Sequence, residues 1–559
     1  MDEAGKIVAA LTRVLGEFGI LGVEPILEHP ADLTHGDYAT NIAFAVAKKA
    51  KKSPKKLADE IVGKLGSIDG VEKVEVAGPG FINFYLSRNY FSNSIADIVA
   101  VGKDWGKGGT LKSKKVIVEY SQPNPFKPFH IGHLMSTTVG ESISRLVEFS
   151  GANLRRMNYQ GDIGLHVAKC LWGVMKKGSD VHDVVALGDA YVIGSAAYED
   201  DPKAKAEIDD INKRLYQDDE VLKPLYEAGR RASLAHFDEI YKILGTRFDD
   251  SILESEVWKE GMKVVEDGLA KGIFEESEGA VVYKGEKAGL HTRVFITSQK
   301  TPTYEAKELG LIQEKSRRFP FDLNVTTIAD EQDNYFKVVE AALAEIWPEK
   351  AGTYTHVAFG MLLLTTGKMS SRKGNVITGE SLINDMRSEA FEKMTDRDLG
   401  DKKDAIADSV AVAAIKYSIL KQGTGQNIVF DPEASLSFEG DSGPYLQYSH
   451  TRALSVLEKA KKEKIQPSAA MAPENVTDLE RVLYRFPEVV ARATREYEPH
   501  YVTTYLTELA GMFNSWYAKE KIVDARDPHS SYKVALTLAF TTTMKNGLWL
   551  LGITAPQKM

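Results

Sequence analysis

The stretch VIVEYSQPNPFKPFHIGHL, running from Val116 to Leu134, constrains the rest of the chain most strongly. Three consecutive β-branched residues, Val116, Ile117 and Val118, predict a buried strand, and Pro123, Pro125 and Pro128 then break regular structure. From Leu134 onward, Val139, Ile143, Leu146, Val147 and Phe149 are spaced to give a helix with one apolar face. His130 and His133 stand three apart at the start of that helix, hence on one face. Backbone N–H groups and the helix dipole favour an anion there. Gly132 between them leaves room for a flat ring against the backbone. Strand, loop, histidines and helix opening together predict a nucleotide-phosphate site. An ordinary helix cap is the alternative, and the remaining chain decides between them.

A chain of 559 residues is too long for one hydrophobic core, so roughly three domains are expected. No apolar run approaches the ~20 residues that a membrane span needs. The opening MDEAGKIVAALTRVLGEFG reads as an amphipathic helix with acids at its start rather than a secretory signal. The single Cys170 leaves no partner for an intrachain disulfide and no cysteine set for zinc. A cytoplasmic protein is expected. The net charge of −9 does not point to a nucleic-acid partner, nor does it exclude one, because phosphate contacts depend on local patches. Lys48, Lys49, Lys51, Lys52, Lys55 and Lys56 form one such patch, or else a solvated lysine face.

In chain order, residues 1 to about 100 alternate helical patterns with two short strands, VEKVEVA and GFINFYL, and predict a small α+β domain. Within it, HGDYATN is a polar turn opening a helix, where Asp37 or Asn41 serves as a cap or meets a ligand. Gly102 to Lys115 reads as a linker. From 116 the rhythm is strand–helix–strand–helix. HTRVFITSQKTPTYEAKELGL and FDLNVTTIADEQDNYFKVVEAALAEI each give a strand, a turn and a helix, and HVAFGMLLL gives a further strand. Such alternation predicts a doubly wound parallel sheet with ligands at the strand carboxyl ends. Residues 172–290, charged and largely helical, read as an insertion. Gly367 to Asn375, GKMSSRKGN, is a glycine-bounded loop carrying Lys368, Arg372 and Lys373. Beyond 391 the pattern is helical, with Tyr445, Tyr448 and Arg452 along one helix face.

HIGH after the first strand of a doubly wound sheet, with KMSSR after a late one, resembles the paired motifs of class I aminoacyl-tRNA synthetases. EYSQPNPFKPFHIGH, GESISRLVEFSGANLRRMNYQGDIG, TPTYEAK, GDSGPYLQYSHTR and LLGITAP narrow the resemblance to the arginyl-tRNA synthetase family. HGDYATN and VAGPGFINFYLS resemble that family's additional N-terminal domain. The resemblance spans nearly the whole chain, more loosely over 172–290. It implies an N-terminal tRNA-binding domain over 1–108, a Rossmann-like catalytic domain over 109–390 and an all-α anticodon-binding domain over 391–559.

The implied reaction joins arginine to ATP, releases pyrophosphate, and passes the arginyl group to the terminal ribose of tRNA. Charge builds on phosphate oxygens, so fixed donors are needed rather than a covalent nucleophile. The resemblance assigns His130 and His133 to the phosphates and Gly132 to the adenine. Lys368, Met369, Arg372 and Lys373 fall to the nucleotide and its leaving pyrophosphate. Mg²⁺ is expected on the phosphates without a dedicated protein cage, and no zinc. The usual second lysine of the KMSKS loop is Ser371 here, and Lys127 just upstream of HIGH is expected to replace it. Tyr304 and Glu308, four apart on a helix, match the pair that grips the guanidinium, with Glu308 where the family usually has aspartate. Glu119, Asn124 and Gln332 match residues fixing the substrate's amino end. Asp162 and His166 fall near the nucleotide. Asn41 matches a tRNA elbow contact, while Tyr445, Tyr448, Tyr517 and Met559, with Trp516 alongside, match anticodon contacts. Partners are thus arginine and its tRNA, with no membrane, in a monomer. A cysteinyl-type synthetase, a nucleotidyltransferase without tRNA and a catalytically idle RNA-binding relative are the competing readings.

Overall fold

The structure, a computed structural model, describes residues 3–364, 378–394 and 402–559. The chain forms two compact units, one of Gly106–Tyr448, Glu488–Thr507 and Gly547–Met559, the other of Met1–Trp105, Ser449–Pro487 and Glu508–Asn546.

The larger unit is built on a five-stranded sheet. Strands β1 (Lys115–Glu119), β2 (Asn153–Gln160), β3 (Asp250–Leu253), β4 (Leu323–Ala329) and β5 (Tyr354–Phe359) lie in the order β5-β4-β1-β2-β3. Every neighbouring pair is parallel. Val116, Ile117 and Val118 are wholly buried, as a strand covered on both faces requires. The chain winds outward from β1 through β2 to β3, then returns to lay β4 on the other side of β1. That reversal opens a crevice at the carboxyl ends of β1 and β4. Helix α1 (Ile131–Phe149) follows β1 and is buried along most of its length. It packs so closely that a Cβ on Gly140 would sit 2.2 Å from the Tyr120 side chain.

Three sequence expectations change here. The strand Arg293–Ile296 does not join the parallel sheet but pairs antiparallel with Ala280–Tyr283 in a separate three-stranded sheet. HVAFGMLLL is two strands, because the chain leaves the sheet after Phe359 and Leu362–Leu364 pairs with Ile428–Phe430. Third, β3 lies inside the charged stretch 172–290, where helix α2 (Lys223–Leu244) precedes it and α3 (Glu254–Ala270) follows. Only four residues long and opening Asp250-Ser251, it carries no apolar signature.

In this unit the chain's last residues rest on α1. Arg145 donates to Trp549 O (2.8 Å), Ser142 to Leu550 O (2.9 Å), and the wholly buried Lys416 to Gly552 O (2.7 Å) and Leu244 O (2.6 Å).

The smaller unit carries an antiparallel sheet ordered Tyr38–Thr40, Phe81–Leu86, Val71–Ala77. Asp37 is wholly buried, accepting from Leu86 N (2.8 Å) and pairing with Arg481 (2.5 Å). Its role is structural. Gly102–Asp104 is a tight turn rather than free linker, since Asn546 donates to Gly102 O (3.1 Å) and Trp105 O (3.0 Å). Among the described residues no helix is long and apolar enough to cross a membrane.

Candidate active site

The loop after β1 is strained. Ser121, Gln122 and Phe126 all adopt positive φ (76°, 56° and 67°), a conformation non-glycine residues rarely hold without surrounding constraint. Here the constraint is visible: Ser136 Oγ accepts from Ser121 N (2.8 Å), Asn158 Oδ1 from Gln122 N (3.1 Å) and Ser233 Oγ from Phe126 N (3.1 Å). The loop delivers His130 as N-cap of α1. His133 N donates to His130 Nδ1 (3.3 Å) and His130 N to His133 Nδ1 (3.2 Å), while the rings stack at 3.4 Å. Because each Nδ1 accepts from a backbone N–H, each ring carries its proton on Nε2. Burial lowers the pKa of both, that of His133 far more, and the nearby charge of Lys127 adds to this. Two neutral imidazoles with Nε2–H donors result.

These histidines border a cleft of about 640 Å³ at the carboxyl ends of β1 and β4. Gln122, Asn124, Gly132 and Gly161 line it together with Tyr304, Glu308, Gln332 and Tyr335. Helix α4 (Tyr304–Arg318) supplies Tyr304 and Glu308, and α5 (Asp333–Ile346) supplies Tyr335. Asn124 Oδ1 accepts from Gly161 N (3.1 Å), which leaves the Asn124 amide NH₂ to the cleft. A Cβ on Gly161 would come within 2.6 Å of Asn124 Oδ1, so a larger residue there would displace the Asn124 amide. Gln332 Oε1 accepts from Ala329 N (3.2 Å), capping its own turn while lining the cleft.

Five carboxylates lie in or behind this wall; Glu331 is exposed, and of the other four three have an internal cation. Glu254 pairs with Lys307 (2.6 Å), Glu305 with Arg293 (3.4 Å), and Glu119 with Lys315. Among the described residues Glu308 makes no ion pair. Burial and the charge of Glu119 raise its carboxyl to about 8.

Glu119 stands behind the cleft wall instead of on it, as its ion pair and the bond from Gln122 Nε2 (2.8 Å) explain. Asp162 is wholly buried and its oxygens are taken by Ser255 N and Oγ (2.8 and 2.7 Å), Tyr226 OH (2.8 Å) and Arg230 (3.1 Å). It holds β2, α2 and α3 together, away from the cleft. His166 bonds Gly161 O (2.8 Å), and burial depresses its pKa to about 3. Lys127 lies over the Tyr191 ring (5.1 Å) and lines a neighbouring cavity of about 460 Å³. Lys169, Lys307, Tyr191 and Tyr216 also line it, and Tyr304 stands between the two cavities. Lys368, Met369, Ser371, Arg372 and Lys373 lie outside the described residues.

Arg293, Glu305, Lys307 and Lys315 escaped the sequence reading. For Lys315 a signal existed: Tyr304, Glu308 and Lys315 fall on one face of α4 by helical spacing.

Elsewhere, Asn41 caps the helix Ile42–Ala50 without a side-chain bond to it, and is exposed. Beside it Phe44 and Phe81 are exposed with ring centroids 5.1 Å apart, a pair the sequence reading passed over. Lys48, Lys49, Lys51, Lys55 and Lys56 are exposed, whereas Lys52 is paired with Glu60. Tyr517 is exposed under the Arg452 guanidinium (5.5 Å), while Trp516 packs against an apolar cluster around Ile522. In the larger unit Tyr445, Tyr448 and Met559 are each partly exposed.

Comparison with known proteins gives three family models that match in succession. They are the arginyl-tRNA synthetase N-terminal domain over residues 4–86, the class I tRNA synthetase (R) catalytic domain over 95–432, and the DALR anticodon-binding domain over 446–559. An arginine–tRNA ligase of Streptococcus thermophilus is 32% identical over 575 residues, covering 100% of both chains. One from Halothermothrix orenii is 30% identical with the same coverage. The solved arginyl-tRNA synthetase of Thermus thermophilus superposes with a TM-score of 0.81 at 25% identity, covering 100% of each chain.

Proposed function

The chain belongs to the arginyl-tRNA synthetase family of class I, and on that premise we propose that it ligates arginine to its tRNA through the cleft bordered by His130, Tyr304 and Glu308. The observation that carries the proposal is the charge pattern of the wall. A guanidinium has five donors and no acceptor. Glu308, which unlike Glu331 is not exposed and unlike Glu119, Glu254 and Glu305 has no internal cation, supplies the missing acceptor, with the Tyr304 ring on the same helix face. The Asn124 NH₂ suits a carboxylate oxygen of the amino acid, and Gln332 lies on the same wall. Glu119, already paired with Lys315, supports the wall.

In the first step an oxygen of the arginine carboxylate forms a bond to the α-phosphorus of ATP, and the bond to the pyrophosphate oxygen breaks. Charge grows on the α-phosphate oxygens. The Nε2–H groups of His130 and His133 donate to them, fixed beforehand by their reciprocal cap and neutral at physiological pH. Lys127, Lys368, Arg372 and Lys373 are proposed for the leaving pyrophosphate, and Gly132 and Met369 for the nucleoside. Mg²⁺ is proposed to accompany the phosphates of ATP, where it would neutralise part of their charge. In the second step a terminal ribose hydroxyl of tRNA attacks the adenylate carbonyl and AMP leaves. The lysine- and tyrosine-lined cavity beyond Tyr304 suits the phosphates and bases of that chain end. Asn41, Tyr445, Tyr448, Trp516, Tyr517 and Met559 are proposed as further tRNA contacts. The proposed division is 1–108 for tRNA binding, 109–390 for catalysis and 391–559 for the anticodon, with action in the cytoplasm.

The reading is tested by charging arginine tRNA with labelled arginine in competition with citrulline, which keeps the shape of arginine without its charge. Citrulline is expected to compete at least ~10²-fold more weakly, since it leaves Glu308 unpaired. Equal competition would overturn the assignment of Glu308.

A further inference from the structure

We infer that Lys315 is a specificity-determining positioning residue: by holding Glu119 in an ion pair behind the wall, it leaves Glu308, rather than Glu119, as the buried-wall acceptor for the substrate cation. The inference rests on reading this cleft as the arginine site.

Lys315 lies two turns beyond Glu308 on α4 and is 2% exposed. Its ammonium pairs with one oxygen of Glu119, itself 2% exposed, and Gln122 Nε2 holds the other oxygen (2.8 Å). Glu119 therefore sits between two donors from different elements. Behind Glu308 is a small cavity of about 10 Å³, also lined by Lys315, Tyr354 and His356. The Tyr354 hydroxyl there is buried without a hydrogen-bond partner among the described residues. Lys315 thus stands between two carboxylates, touching one and sharing a cavity wall with the other.

The charges facing Glu308 fix the sign of the effect. Glu119 from β1, Glu254 from α3 and Glu305 from α4 disfavour its ionisation, and Lys315 opposes them. The phenols of Tyr159, Tyr335 and Tyr354 lie in the same field. Without Lys315, Glu119 becomes a bare buried carboxylate near Glu308, and the pair cannot both ionise readily. A cation entering the cleft would then be shared between two acceptors at different depths. That would weaken the preference for a guanidinium seated at Glu308.

The test compares Lys315→Met, Lys315→Arg and the double variant Glu119→Gln/Lys315→Met in arginine charging across pH 6.5–9.5. KM is measured separately for arginine and for ATP. Lys315→Met is expected to raise the arginine KM about tenfold or more near pH 7.5, with the ATP KM within about twofold, and to move the midpoint of the arginine pH dependence upward by about one unit. Lys315→Arg restores both. The double variant, lacking both charges, brings the midpoint back toward the native one, and it carries the test alone if Lys315→Met does not fold. The inference fails if Lys315→Met leaves the midpoint in place or raises both KM values equally. It also fails if the double variant does not return the midpoint. Glu308→Gln run in parallel separates the two readings: an unchanged arginine KM in that variant discards the arginine site itself, whatever Lys315 does.

Discussion

Arginine binding should expel a proton. With its midpoint raised to about 8, Glu308 is mostly protonated at neutral pH when no cation faces it. At pH 7 about one molecule in ten carries the ionised form that a guanidinium requires, so arginine affinity should be about tenfold weaker at pH 7 than at pH 9. The same shift has a sign for folding. A carboxyl with a raised pKa binds more protons folded than unfolded, so its ionisation lowers stability as pH rises from about 4.5 to about 8, and bound arginine removes that loss. Calorimetric titration of arginine at pH 7, with arginine tRNA in the cell and buffers of different ionisation enthalpy, should give release of about one proton. Glu308→Gln should abolish the release and weaken binding ~30-fold or more, on the scale of removing one partner from a buried charge pair. Glu308→Asp should keep the release while altering affinity through the lost methylene. Proton uptake, or a pH-independent affinity with no proton exchanged, would refute the reasoning.

Lys127→Ala should reduce kcat for adenylate formation by about 10²-fold, the scale of one electrostatic donor, and an unchanged kcat would remove Lys127 from the mechanism. Asp37→Asn leaves Arg481 without its buried partner and should cost about 3–5 kcal/mol of stability, read as a lower melting temperature with arginine activation of the folded enzyme preserved. Lys416, wholly buried on the carbonyls of Leu244 and Gly552, has its pKa lowered to about 7 by burial. Its folded form binds fewer protons than the unfolded chain between that value and 10.5, so its contribution to stability should grow as pH rises above 7. Denaturation of the native protein and of Lys416→Met across that range should diverge, and parallel curves would contradict this.

Much of the site was legible because its signals are local. The β-branched run of β1, the prolines after it and the paired histidines at a helix start lie within nineteen consecutive residues, and Tyr304 with Glu308 follows from helical spacing alone. The winding of the sheet was legible from strand–helix alternation, but its membership was not. Arg293–Ile296 has the pattern of a parallel strand and yet pairs antiparallel, because pairing is decided by which edge is available in space. Conversely β3, with Asp250 and Ser251, falls in a stretch that reads as a charged, largely helical insertion and yet pairs with the edge of β2. Glu119 and Asp162 show the same limit in chemistry. Each stands next to a motif, and each is neutralised by residues far along the chain, Lys315 and Arg230, whose proximity no spacing announces.

Arginine-dependent exchange of pyrophosphate into ATP, with and without arginine tRNA at fixed salt, tests the central claim most directly. Exchange with arginine in the presence of tRNA is the predicted result, and exchange confined to that tube would add that tRNA gates the site. Absence of arginine-dependent exchange in both tubes would contradict the assignment of the cleft and favour an RNA-binding protein without catalysis.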